Sequence, residues 1–263
     1  MPTAQINGNT IHYTDTGSGK PVILLHGYPL DSRIWDGQVD VLAERYRVIA
    51  PDFAGFGRST AAKPFTIPSM ANDIRQLATE LGALPCAVAG LSMGGYVALA
   101  WVKLCPTDIK ALMIVDSKPQ ADSAEARQNR NRMIELAGTG GASAIADQML
   151  KSLLTPQTLS NDPQMVQRLR QIIEDQPVQT LQWAQAAMRD REDLSDFVTS
   201  IADPTLILVG EKDPLTTPEM ARALHATVSQ SRLAIIPEAG HLPTLERPRE
   251  TAEAMRRFLD ECY

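Results

Sequence analysis

Disulfides are not what holds this chain together: it has only three cysteines, Cys86, Cys105 and Cys262, an odd number without disulfide-type spacing. Its four histidines, His12, His26, His225 and His241, are scattered, and no H-E-x-x-H motif occurs, so no metal is expected. No apolar run approaches the roughly 18 residues of a membrane-spanning segment. The stretch Met1-Pro2-Thr3-Ala4-Gln5 lacks the charged start and apolar core of a secretory signal, so the expected location is cytoplasmic. Lys and Arg number 25 against 31 Asp and Glu, a net charge of -6, which offers no basic surface for nucleic acid. Arginines do gather at Arg127, Arg130 and Arg132, but among acids and amides on a helical segment, and they read as a solvated helix face. Phosphate-binding loops are missing as well. Gly17-Ser18-Gly19-Lys20 runs into Pro21 without the upstream glycine, and Gly55-Phe56-Gly57 lacks the third glycine of a dinucleotide fingerprint. No cofactor is expected, and no internal repeat or low-complexity stretch is found.

What is present is an ordinary globular composition, 44% hydrophobic and 21% charged, in a chain of 263 residues that can bury a core without staples. Asn7-Gly8-Asn9 marks a hairpin between two short strands over residues 4–15. Continuous apolar runs at 22–26, 47–51, 86–91 and 111–115 read as strands buried on both faces. Helical spacing lies between them, over Ser32–Tyr46 and over Ser69–Gly82, the latter with a serine cap and a glycine stop. Such alternation predicts a parallel α/β sheet. From about 119 to 201 the strands cease. Ser123 caps a helix expected to stop at Gly138, a second stripe runs from Ala142 to Leu153, and Asp162-Pro163 and Pro177 open two more. Strand and helix then resume at Pro204–Gly210, Pro218–Ala226, Arg232–Ile236 and Pro248–Leu259. The division expected is a core of residues 1–118 and 202–263 with a helical lid of 119–201 laid over the strand ends.

Chemistry concentrates at Gly90-Leu91-Ser92-Met93-Gly94, between an apolar strand and an Ala-rich helix. A strand-to-helix turn this sharp forces Ser92 into a strained conformation with its hydroxyl projecting, and the flanking glycines avoid collisions with their neighbours. The following helix aims free N–H groups at any anion formed there. A serine hydroxyl needs a base beside it. His241, in a loop just after the last strand, is the candidate, because open α/β sheets place their chemistry at strand C-terminal ends. Asp213, again after a strand end, is the candidate partner for the other ring nitrogen, with Asp116 and Glu211 as rival acids. The backbone N–H groups of Tyr28 and Met93 are the candidate oxyanion donors. Tyr28, Phe53, Trp183 and Met188 are the candidate pocket walls. The lid residues offer no cluster of positive charge to aim inward, so a small, largely apolar acyl or lactone substrate is expected.

Taken together, His26-Gly27-Tyr28-Pro29, Asp52-x-x-Gly55-x-Gly57-x-Ser59, Gly90-x-Ser92-x-Gly94-Gly95, Gly210-x-x-Asp213 and Gly240-His241 resemble the α/β-hydrolase superfamily over nearly the whole chain. The resemblance implies an eight-stranded, mostly parallel sheet flanked by helices, with a helical cap after the sixth strand. Within the superfamily the chain is most similar to small cytosolic esterases, enol-lactonases of the 3-oxoadipate type and cofactor-free haloperoxidases (perhydrolases). Haloalkane dehalogenases and epoxide hydrolases carry an aspartate at the elbow, and Ser92 argues against both. The expected activity is hydrolysis of a small carboxylic ester or lactone through an acyl-serine, with Ser92, His241 and Asp213 as triad. A C–C bond hydrolase or perhydrolase would use the same triad, and a hydrolase-fold ligand receptor is the non-enzyme alternative. Oligomeric state is left open.

Overall fold

A computed structural model describes residues 2–263. Its strands are β1 (Thr3–Ile6), β2 (Asn9–Gly17), β3 (Pro21–Leu25), β4 (Arg47–Pro51), β5 (Cys86–Leu91), β6 (Ile109–Val115), β7 (Thr205–Gly210) and β8 (Ser231–Ile236). They form one eight-stranded sheet in the order β1-β2-β4-β3-β5-β6-β7-β8. The first two strands are antiparallel, joined by a two-residue turn in which Asn7 and Gly8 both have positive φ, 52° and 83°. That is the turn whose twist matches a hairpin. All later pairings are parallel. Strands β5 and β7 are buried at every residue, which is why they read as continuous apolar runs rather than alternating ones.

The helices are α1 (Asp36–Leu42), α2 (Ile67–Glu80), α3 (Met93–Leu104), α4 (Ala124–Leu153), α5 (Pro156–Asn161), α6 (Pro163–Glu174), α7 (Val178–Arg189), α8 (Pro218–Thr227), α9 (Pro243–Glu246) and α10 (Pro248–Cys262). Helix α1 packs on α10, α2 on α3, and α8 against β7 and β8. Between β6 and β7 the chain forms α4 to α7, with α4 packed on both α6 and α7.

Helix boundaries depart from the sequence expectation by a residue or more in several places, three of which have a clear local cause. Helix α2 begins at Ile67 with Thr66 as its cap, and Ser69 is instead the third helical residue of a reciprocal capping box. Pro68 is tolerated there because first-turn N–H groups have no intrahelical partner. Ser32–Trp35 is a 3-10 turn capped by Asp31, and α-helix follows only from Asp36. Gly138 does not stop its helix; the break falls at Gly141, whose φ of 69° kinks α4.

Candidate active site

Five parallel strands end side by side, and each hands the chain to a residue of interest: β3 to His26, β5 to Ser92, β6 to Asp116, β7 to Asp213 and β8 to His241. Ser92 sits between β5 and α3 at φ 53°, ψ -112°, a conformation that costs a side-chain-bearing residue about 1–3 kcal/mol. The neighbours hold it there. A Cβ on Gly90 would run into the backbone of Gly94, and one on Gly94 into the carbonyls of Leu25 and His26. The Ser92 amide donates to Val115 O at 2.9 Å, and Ser117 Oγ donates to Ser92 O at 2.7 Å.

His26 organises the opposite lip. It is fully buried, its Nε2 accepts the Phe53 N–H at 3.0 Å, and its Nδ1 lies 3.0 Å from Gly27 O. Accepting at one nitrogen and donating at the other fixes a neutral imidazole, and burial holds its pKa below the usual histidine value. Gly27 passes so close to the elbow that a Cβ there would lie 3.2 Å from Ser92 Cβ. The Tyr28 amide is thereby carried to the nucleophile turn. Met93 is the first residue of α3, so its N–H has no intrahelical carbonyl to reach.

His241 and Asp213 are both buried, and His241 Nδ1 lies 2.8 Å from Asp213 Oδ2. The Leu215 amide donates to Asp213 Oδ1 at 2.8 Å, and the Thr216 hydroxyl donates to Oδ2. Burial alone would push the Asp213 carboxyl up, but the charge and hydrogen bond of His241, then Thr216 and Asp116, bring it down to about 2. The rival acids are engaged elsewhere. Glu211 Oε2 accepts the Glu238 amide in an exposed turn. Asp116, at φ 43°, accepts the Gly210 N–H at 2.8 Å through Oδ1.

The other Asp116 oxygen, Oδ2, is buried and meets no donor. The polar group beside it is Asp213, itself an acceptor; one carboxylate oxygen each of Asp116 and Asp213 and one ring nitrogen of His241 lie within 4.8 Å of one another. Desolvation first, and the Asp213 charge second, raise the Asp116 carboxyl well above the usual range. A proton on Asp116 turns the clash of two acceptors into a donated hydrogen bond that supports Asp213. This trio is also the one grouping among the described residues close enough to share a cation.

Ser92, His241, Tyr28 and Met188 line one cavity of about 570 Å³. Phe53 and Trp183, expected in its walls, do not. The Phe53 ring packs on His26, with centroids 4.6 Å apart, and Trp183 stands edge-on to Phe65 at 6.2 Å. Residues five apart on a helix point about 140° from each other, so Trp183 and Met188 could not share a face of α7. Gln185, three before Met188, does share it and lines the cavity.

Two residues outside those expectations shape the site. Glu246, on α9, is buried and accepts the Gly240 N–H at 2.6 Å and both the amide and hydroxyl of Thr155, at 2.9 and 2.8 Å. It ties the His241 loop to the end of α4; no periodicity or motif signals it. Arg130, read as part of a solvated face, instead lines the cavity with Lys118, and bonds Asp122 Oδ2 at 2.9 Å and Gln185 Oε1 at 3.1 Å. The walls therefore carry positive charge that the sequence reading did not expect. A helical net orders residues around α4 but does not say which arc faces the sheet.

Residues 20–248 match the family model described as alpha/beta hydrolase fold. The chain belongs to that family. An esterase from Thermogutta terrifontis, solved with malate bound, is 35% identical with a TM-score of 0.95, over 99% of this chain and 98% of that one. The enol-lactonase from Burkholderia xenovorans LB400 is 25% identical with a TM-score of 0.92, over 98% and 100%. A pimeloyl-[acyl-carrier protein] methyl ester esterase from Nitrosomonas europaea is 26% identical over 250 residues, 92% of this chain and 96% of that protein. This alpha/beta hydrolase thus has esterases and a lactonase among its relatives. No helix among the described residues is long and apolar enough to cross a membrane.

Proposed function

We propose that the protein is a serine hydrolase of small carboxylic esters or lactones. The observation that carries this reading is the cavity shared by a strained, glycine-flanked Ser92 and a His241 backed by an ionised Asp213. With its Nδ1 proton donated to Asp213, His241 has Nε2 free to accept the Ser92 proton as the hydroxyl attacks the carbonyl carbon. The carbonyl oxygen becomes an oxyanion, held by the Tyr28 and Met93 amides, each worth about 3–4 kcal/mol in the transition state. The alcohol leaves with the proton from His241, and the acyl group stays on Ser92 Oγ. Water then gives a proton to His241 and attacks the ester, and the acid departs as the proton returns to Ser92.

In this reading α4 to α7 form a lid, residues 119–201, over a core of residues 1–118 and 202–263. Three unpaired cysteines suit a reducing compartment such as the cytoplasm. The test is release of p-nitrophenol from short p-nitrophenyl esters by wild type and Ser92→Ala. Turnover that falls by about 10⁴–10⁶ in the variant is expected. Equal rates would remove Ser92 as the nucleophile. Turnover of ester but no accumulation of acid product in the presence of peroxide would shift the reading to a perhydrolase.

A further inference from the structure

One part of the cavity wall holds more positive charge than its own acids neutralise. Lys118 follows β6 by three residues, is half-buried and lines the cavity. Its ammonium makes no hydrogen bond or ion pair with any described residue. The acid in reach is Asp122, and both its oxygens are taken: Arg130 Nε reaches one at 2.9 Å and Arg191 Nη1 the other at 2.7 Å. Three cations thus stand around one carboxylate. Arg191 lies 4.1 Å above the ring of Tyr96, another residue of the wall. Burial, then the charge of Arg191, lower the Lys118 pKa, and Arg130 adds to the effect. Beside these groups Gln185, the neighbour of the buried Tyr28 hydroxyl, supplies no acceptor for Lys118. The Gln185 carbonyl oxygen is already given to Arg130.

An unpaired ammonium in a partly desolvated wall is costly unless an acceptor meets it. A carboxylate does so, with lone pairs to spare. We propose that Lys118 is a subsite for a carboxylate carried by the substrate, so that the protein acts on esters or lactones whose acid portion bears a second, ionised carboxyl group. This rests on the hydrolase reading of Ser92, and it replaces the largely apolar substrate expected from sequence. Lys118, Ser92 and His241 line the same cavity, so the scissile carbonyl and the second carboxylate of a short dicarboxylic half-ester share it.

The experiment compares p-nitrophenyl hemiglutarate with p-nitrophenyl pentanoate, which differ by a carboxylate in place of a methyl group. The ratio of their kcat/KM values is measured in wild type, Lys118→Met and Lys118→Arg. The ratio is expected to fall about 10- to 100-fold in Lys118→Met, chiefly through KM, and to be largely restored in Lys118→Arg. A ratio unchanged in Lys118→Met overturns the subsite, as does a wild type that prefers pentanoate tenfold or more. Glutarate binding to wild type, followed by calorimetry, separates this from the hydrolase reading. Saturable binding lost in Lys118→Met supports the subsite even if neither ester turns over, in which case the hydrolase reading fails alone. Turnover of pentanoate with no glutarate binding overturns the subsite and leaves the hydrolase reading in place.

Discussion

The two ends of the cavity are built on opposite plans. At the strand ends the groups that hold the reacting residues are partnered, Asp116 Oδ2 excepted. Asp213 accepts from His241, Leu215 and Thr216, and the elbow is pinned by Ser117 and by the Val115 carbonyl. On the cationic wall the Lys118 ammonium has none. Saturated hydrogen bonding fixes geometry before a substrate arrives, which is what a reaction centre requires. Unsaturated groups are what a ligand can complete. Rigidity and appetite for a partner are divided between the elbow and its base on one side and the Lys118 loop after β6 on the other.

The contrast can be broken first at its tightest point. Asp213→Asn leaves the shape but removes the charge and can hold His241 in the wrong tautomer. Turnover of p-nitrophenyl acetate is expected to fall by about 10³–10⁴, and a loss below tenfold would reassign the acid. Because the Asp213 pKa is depressed to about 2, its stabilising effect is complete above the ordinary carboxylate value and is lost only as pH falls through about 2. An acid unfolding transition above pH 4 therefore takes its pH dependence from other groups, and the stability difference between wild type and Asp213→Asn should stay constant with pH above that value.

The next largest effect is expected from Glu246→Gln. It weakens the hydrogen bonds that a buried carboxylate accepts from Gly240, Thr155 and Thr158 and should cost about 1–3 kcal/mol of stability by denaturant unfolding. Activity should drop with it, since Gly240 and hence His241 lose their anchor. Unchanged stability would mean that the loop is held by packing instead.

The smallest effect sharpens the comparison rather than breaking it. Burial and the charge of Asp213 raise the Asp116 pKa, so the folded protein holds this proton to higher pH than the unfolded chain does. Stability then declines as pH rises above the ordinary carboxylate value. Asp116→Asn can still accept from Gly210 and donate to Asp213 but cannot titrate. Its melting temperature relative to wild type should rise between pH 5 and pH 8. A difference that does not vary with pH would show Asp116 ionised throughout.

Much of the reactive end was legible in the sequence because strand ends and glycines are local signals. Gly90-x-Ser92-x-Gly94 announces a turn that only close backbone approach explains, and Asp213 and His241 each follow an apolar run. The cavity walls were less legible. Phe53 is claimed by His26 through contacts that sequence spacing does not encode. Trp183 was a misreading that helix geometry could have prevented, since it and Met188 lie on different faces of α7. Arg130 reads as a solvated arginine until Asp122 and Gln185 turn it inward. Glu246 lies in a four-residue helix, too short for any periodicity to show.

The most direct test of the account is covalent labelling. Wild-type protein would be treated with a fluorophosphonate, digested and analysed by mass spectrometry, beside Ser92→Ala. The account predicts one adduct, on the peptide that carries Ser92, and none in the variant. An adduct on another serine, or labelling that persists in Ser92→Ala, would contradict it.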